Sequence, residues 1–149
     1  MADGTIHIDI KDNSFETLEA FQAACLRALE ICGSQAEGYA KDLAPFDTGL
    51  LRNSITHALS GEPAAISTYK ADKAKGNKPI QTGKYSGFAP KERNPSKTVV
   101  YIGTNVEYAP YMELGSRRQK PKPYLRPAVE EHVQTYRNII EDELKRIEE

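Results

Sequence analysis

Tryptophan is absent from this chain of 149 residues, and 4 phenylalanines stand against 8 tyrosines. Hydrophobic residues make up 39%, so the apolar mass available for a core is modest. No apolar run approaches the about 18–20 residues that span a bilayer, and Ala2-Asp3-Gly4 leads into a short alternating run rather than a signal peptide. A soluble protein with no membrane contact is expected. Cysteine is scarce: Cys25 and Cys32 lie on one predicted helix, about 10 Å apart along its axis. A disulfide needs Cα atoms within about 7 Å, so the two are read as free, packed thiols made in a reducing cytoplasm.

The common signatures of chemistry are missing as well. There is no G-x-S-x-G, no phosphate-binding G-x-x-x-x-G-K and no G-x-G-x-x-G. His7, His57 and His132 have no H-x-x-x-H or C-x-x-C companions, so neither a metal nor another cofactor is expected. Asp47-Thr48-Gly49 matches the Asp-Thr-Gly of aspartic proteases, which need two carboxylates sharing a proton. Pro45-Phe46 before it, Leu50-Leu51-Arg52 after it and the lack of a flap sequence favour a turn instead. No enzyme is expected.

Charge is what the chain has, and it is unevenly spread. The formal net of -1 divides into 4 bases against 9 acids over residues 1–60, 13 against 5 over 61–126, and 3 against 7 over 127–149. A basic centre between acidic ends fits a self-assembling or DNA-proximal protein.

The length suits one domain over 1–149. Thr5–Ile10 alternates as a half-buried strand does, and Ser14 is placed as a helix cap. From Phe15 to Leu43 the stripe Leu18, Phe21, Cys25, Leu29, Cys32, Ala36, Tyr39, Leu43 has the helical period, with a bend or break expected near Gly33 and Gly38. Pro45 stops this helix, Asp47-Thr48-Gly49 turns, and a strand is read over much of Ser54–Ser60. Residues 61–97, with 8 bases against 3 acids, read as an irregular, mobile loop that Tyr85-Ser86-Gly87-Phe88 pins in part. Thr98–Gly103 is the best strand. Tyr108–Leu114 makes one or two helical turns ended by Gly115. A last helix carries Leu125, Val129, Val133, Tyr136, Ile140, Leu144 and Ile147. The fold class is α+β: a small, mostly antiparallel sheet packed against two long amphipathic helices, with a long mobile basic loop.

Three segments stand out: the P-x-D-T-G-x-L-R-x-S-I pattern over Pro45–Ile55, Y-A-x-Y-x-E-x-G over Tyr108–Gly115, and P-x-L-R-P-A over Pro123–Ala128 before the last helix. In these the chain resembles the tail-completion (neck) component family of long-tailed bacteriophages. The resemblance touches three regions and leaves Met1–Ser14 and Gly61–Ser96 aside; the chain departs from the pattern in that long stretch and in Ser116, where a Thr often follows the Gly. It implies an α+β structural protein of the virion, synthesised in the host cytoplasm. That protein forms a ring, expected to be hexameric, at the head–tail junction or upper end of the tail. Its implied partners are copies of itself, a head-connector protein and a tail-terminator or tail-tube protein.

Two sets of residues are candidates for contact. Arg52, Tyr108, Tyr111, Glu113, Arg117, Arg118 and Arg126 combine Tyr, Arg and a carboxylate as interfaces do, with Glu113 reaching Arg52 or Arg126 of a neighbour or pairing with a base of its own chain. Lys70, Lys73, Lys75, Lys78, Lys84, Lys91, Arg93 and Lys97 form a loop that faces DNA or a partner, or is simply solvated. With Arg117, Arg118, Lys120, Lys122 and Arg126 they also support the alternative of a nucleic-acid-binding accessory protein, without a motif for sequence-specific reading.

Overall fold

The computed structural model describes residues 15–94 and 97–148. The strand expected at Thr5–Ile10 and the cap at Ser14 lie outside the described residues. Helix α1 runs unbroken over Phe15–Leu43, followed by α2 (Leu50–Ser54), β1 (Thr56–Leu59), β2 (Thr68–Lys70), β3 (Thr82–Lys84) and β4 (Val100–Gly103). Three helices follow, α3 (Ala109–Leu114), α4 (Leu125–Glu130) and α5 (Val133–Lys145), and a 3-10 turn closes at Arg146–Glu148. The architecture is α+β, with two separate two-stranded antiparallel sheets among the described residues. Strand β1 pairs with β4, His57 opposite Ile102, and β2 pairs with β3, Tyr69 opposite Gly83.

Helix α1 lies between two neighbours, and this decides its sequence. The β1–β4 sheet packs on one side of it and α5 on the other. Its most buried line is Ala24, Ala28, Cys32, Ala36 and Ala40, small residues that let both neighbours come close. The stripe read from the sequence shares Cys32 and Ala36 with this line and half-buries Phe21, Cys25, Leu29 and Tyr39, while Leu18 and Leu43 at its ends are exposed. Gly33 does not break the helix. A Cβ there would stand 2.6 Å from Val100 Cγ2 and 2.9 Å from His57 Cδ2, so glycine is the residue that lets the sheet dock.

The last helix is interrupted where one long stripe was expected. At His132 the backbone leaves the helical region (φ -122°, ψ 25°), and the imidazole stacks on Tyr39 with ring centroids 3.5 Å apart. The Ala128 carbonyl, freed from its helical partner, accepts the Tyr136 hydroxyl. Val129 and Val133 are consequently left exposed.

Residues 61–97 are less irregular than expected. They hold the β2–β3 hairpin and a bridge between Pro63 and Phe88, and Ala71 is buried. Tyr85 does pin this region, its hydroxyl donating to the Gly103 carbonyl at 3.4 Å. The segment after Gly49 opens as helix α2, with the strand beginning only at Thr56. The main core gathers Ala40, Ala44, Leu50, Leu51, Ile55, Ala71, Val106, Ala109, Tyr124 and Ala128, which joins the signature regions at one end of α1.

Candidate functional site

The first signature segment fastens the hairpin to the body. Gly49 takes φ 88°, which admits glycine readily, and the Thr48 hydroxyl accepts the Leu50 N–H at 3.4 Å. The Thr48 carbonyl accepts from the Asp72 and Lys73 N–H groups at 2.9 and 3.2 Å. Asp72 is in turn held by the Arg52 guanidinium and by Asn53 Nδ2 at 2.9 Å, while the same Asn53 nitrogen donates to the Lys70 carbonyl at 2.8 Å. Arg52 also lies over the Phe46 ring, 4.6 Å from its centroid. Asp47 faces solvent beside Lys75 at 3.3 Å, so the Asp-Thr-Gly is a turn with an exposed carboxylate.

The second and third segments close on each other. Both Glu113 oxygens are used: one accepts from Tyr124 and Leu125 N–H at 2.7 and 3.0 Å, the other from Arg126 N–H at 2.9 Å. A carboxylate at the start of α4 thus satisfies three backbone donors that have no intrahelical acceptor. This corrects the reading of Glu113 paired with a base of its own chain, since its partners are the backbone N–H groups of Tyr124, Leu125 and Arg126. Arg126 itself pairs with Glu130 at 3.1 Å. The Lys122 N–H donates to the Met112 carbonyl at 2.7 Å, and the fully buried Tyr124 reaches the Ala109 carbonyl at 3.4 Å.

What these bonds leave outside is a contiguous feature of α3. Tyr108, Tyr111 and Leu114 recur every third residue along one side of it, exposed by 38%, 58% and 78%. Burial first, then the Asp47 carboxylate, pushes the Tyr108 hydroxyl up. Arg117 and Arg118 follow at once, exposed and without an ion pair among the described residues. Of the sequence candidates, Tyr108, Tyr111, Arg117 and Arg118 therefore share one end of the molecule. Leu114, Phe46, Val129 and Val133 are exposed apolar residues that the sequence alone does not place at the surface. For Leu114 the signal was present, as the third member of the spacing Tyr108, Tyr111, Leu114.

The lysines divide. Lys70, Lys73, Lys75, Lys78 and Lys84 are exposed on or beside the β2–β3 hairpin, whose only acid, Asp72, is engaged by Arg52 and Asn53. Lys91, Arg93 and Lys97 are exposed farther along, away from that hairpin in the chain.

Chemistry has few footholds. His57 is buried between α1 and β1, Nε2 at 2.6 Å from Glu30 and Nδ1 without a hydrogen bond, 3.7 Å from Glu37. Among the described residues no group of three or more His, Cys, Asp or Glu is placed to hold a metal ion. An open groove of about 390 Å³ over the other face of the β1–β4 sheet is lined in part by Thr56, Ala58, Tyr85, Phe88 and Tyr101, with no carboxylate in its wall among the described residues. Burial pushes the Cys25 and Cys32 thiols up, away from the thiolate form. No described helix is long and apolar enough to cross a membrane. No family model matches the chain, and no curated protein or solved structure is significantly similar to it.

Proposed function

We propose that this chain is a non-enzymatic structural protein of a long-tailed phage or prophage, acting at the head–tail junction or upper end of the tail in tail completion and joining. It would work as a ring, hexameric by the resemblance, between a head-connector protein and a tail-terminator or tail-tube protein. The observation that carries this reading is the division of labour in the signature segments. Their Thr48, Arg52, Asn53, Glu113 and Tyr124 side chains hold the fold together, and beside them α3 presents Tyr108, Tyr111 and Leu114 to solvent with Arg117 and Arg118 adjoining. Tyr and Arg around an apolar centre make the residue chemistry of an association surface. Deleting the gene from the phage that carries it tests the reading. DNA-filled heads beside unjoined tails in electron micrographs are expected, and normally joined virions would overturn it.

A nucleic-acid role is the second reading, and the lysine-bearing β2–β3 hairpin favours it, with 5 bases and 1 acid over residues 68–84. Binding of the isolated chain to DNA should then weaken steeply with salt, with a log–log slope of about -0.9 per phosphate contacted. Tight binding of that kind, lost when Lys70, Lys78 and Lys84 become Gln, would favour this role over joining.

A further inference from the structure

The two ends of the helical layer differ in sign, and neither can neutralise the other within one chain. Contacts run antiparallel along α1 and α5: Tyr39 against His132, Cys32 against Tyr136, and Arg27 against Glu143 at 3.6 Å. From Arg27 to Ala40, where the main core begins, is about 20 Å at 1.5 Å per residue. At the core end sit α3 and the turn that follows it, with 4 bases and no acid over residues 117–122. Those four side chains are exposed and make no ion pair among the described residues. At the far end residues 141–148 carry 4 acids against 2 bases. Glu143 there is buried and shared between Arg27 and Arg146, while Glu19, Glu141 and Asp142 are exposed and form no ion pair among the described residues. Leu18 and Leu26 are exposed at that same end. Each end therefore combines exposed apolar side chains with an excess of unpaired charge, basic at the core end although Asp42, Glu107 and Glu131 are also exposed there, and acidic at the far end although Lys145 is exposed there.

We propose that the basic end of one copy, Tyr111 and Leu114 with Arg117 and Arg118, docks on the acidic far end of a second copy, around Glu141 and Asp142. This rests on the assembly reading above and specifies its self-contact. The occupant is a second copy because the complementary surface is on the chain itself, at a distance that forbids internal pairing. Two different patches at opposite ends make a head-to-tail contact, the kind that closes into a ring or continues as a filament. Apolar side chains at the centre supply burial, and the charges select the partner face and speed the encounter.

Sedimentation velocity on the full chain at low salt, over a concentration series, tests this with charge-reversed pairs. Arg117→Glu with Arg118→Glu in one variant, and Glu141→Lys with Asp142→Lys in another, should each raise the self-dissociation constant more than about tenfold. Mixed in equal amounts they should associate again, because each then meets a complementary face; recovery also shows that both variants are folded. Reversed variants that associate as the wild type does, or a mixture that stays dissociated, would overturn the docking. So would a wild-type chain that remains monomeric up to about 1 mM, a concentration at which even weak specific contacts form. The joining role would survive any of these results if the deletion still left heads and tails apart, so the two claims fail separately.

Discussion

Two glycines on α1 show how far a residue's meaning depends on what faces it. Both weaken an isolated helix by roughly 1 kcal/mol relative to Ala. Gly33 lies under Val100 and His57, whereas nothing stands within 4 Å of a Cβ added at Gly38. Gly38→Ala should stabilise the protein by about 0.5–1 kcal/mol, and Gly33→Ala should destabilise it by about 1–3 kcal/mol through overpacking. Denaturant midpoints measure both, and equal effects of the same sign would contradict this account of the sheet contact. A second residue-scale expectation concerns buried phenols. Burial pushes Tyr124 and Tyr136 up to about 12, helped by Glu113 near the first and Tyr39 near the second, and raises Tyr85 as well. The folded chain then holds these protons more tightly than the unfolded chain, whose phenols titrate near 10. Stability from this source is whole below about pH 10 and is lost as pH rises toward about 12. Denaturant midpoints should fall across that window, and less so in Tyr136→Phe; a midpoint unchanged by pH there would contradict it.

At the scale of elements, the short pieces depend on single side chains. Removing the Glu113 carboxylate by Glu113→Ala leaves three N–H groups at the start of α4 without their acceptor, a loss of about 1–3 kcal/mol. Hydrogen exchange at Tyr124, Leu125 and Arg126 should accelerate. Asp72→Ala, by contrast, acts at a half-exposed ion pair and should cost about 1 kcal/mol or less in global stability. Its main effect should be faster exchange across the β2–β3 hairpin, and unchanged protection there would contradict the latch. These elements also mark the limit of legibility. Helix α1, β4 and the turn at Asp47-Thr48-Gly49 could be read from period and turn chemistry, because their patterns are long or their residues specialised. The hairpin could not, since three-residue strands built of Thr, Tyr, Lys and Gly carry no apolar alternation. Ala24, Ala28 and Ala40 of α1 were hidden for a related reason: alanine is a weak hydrophobic signal, yet it is the residue that fits between two close neighbours. The break at His132 depends on Tyr39 and Tyr136, which only the fold brings together.

For the whole molecule, the arrangement is an α1 helix shared by a small sheet and α5, with the signature regions gathered at one end. Those signatures were legible as segments, and their roles were not. Asp72, the partner that explains Arg52 and Asn53, lies 20 and 19 residues away in a stretch without pattern. Once these internal bonds are made, the remaining outward resource is an aromatic and aliphatic strip on α3 beside a basic turn, at the opposite end from an acidic one. The most direct measurement is electron microscopy of particles from a gene deletion complemented by either the wild-type chain or Tyr111→Asp with Leu114→Asp, the variant's fold checked by circular dichroism. The account predicts joined virions with the wild type, and filled heads beside separate tails with the variant. Joined virions at wild-type frequency with the variant, or with no complementation at all, would contradict it.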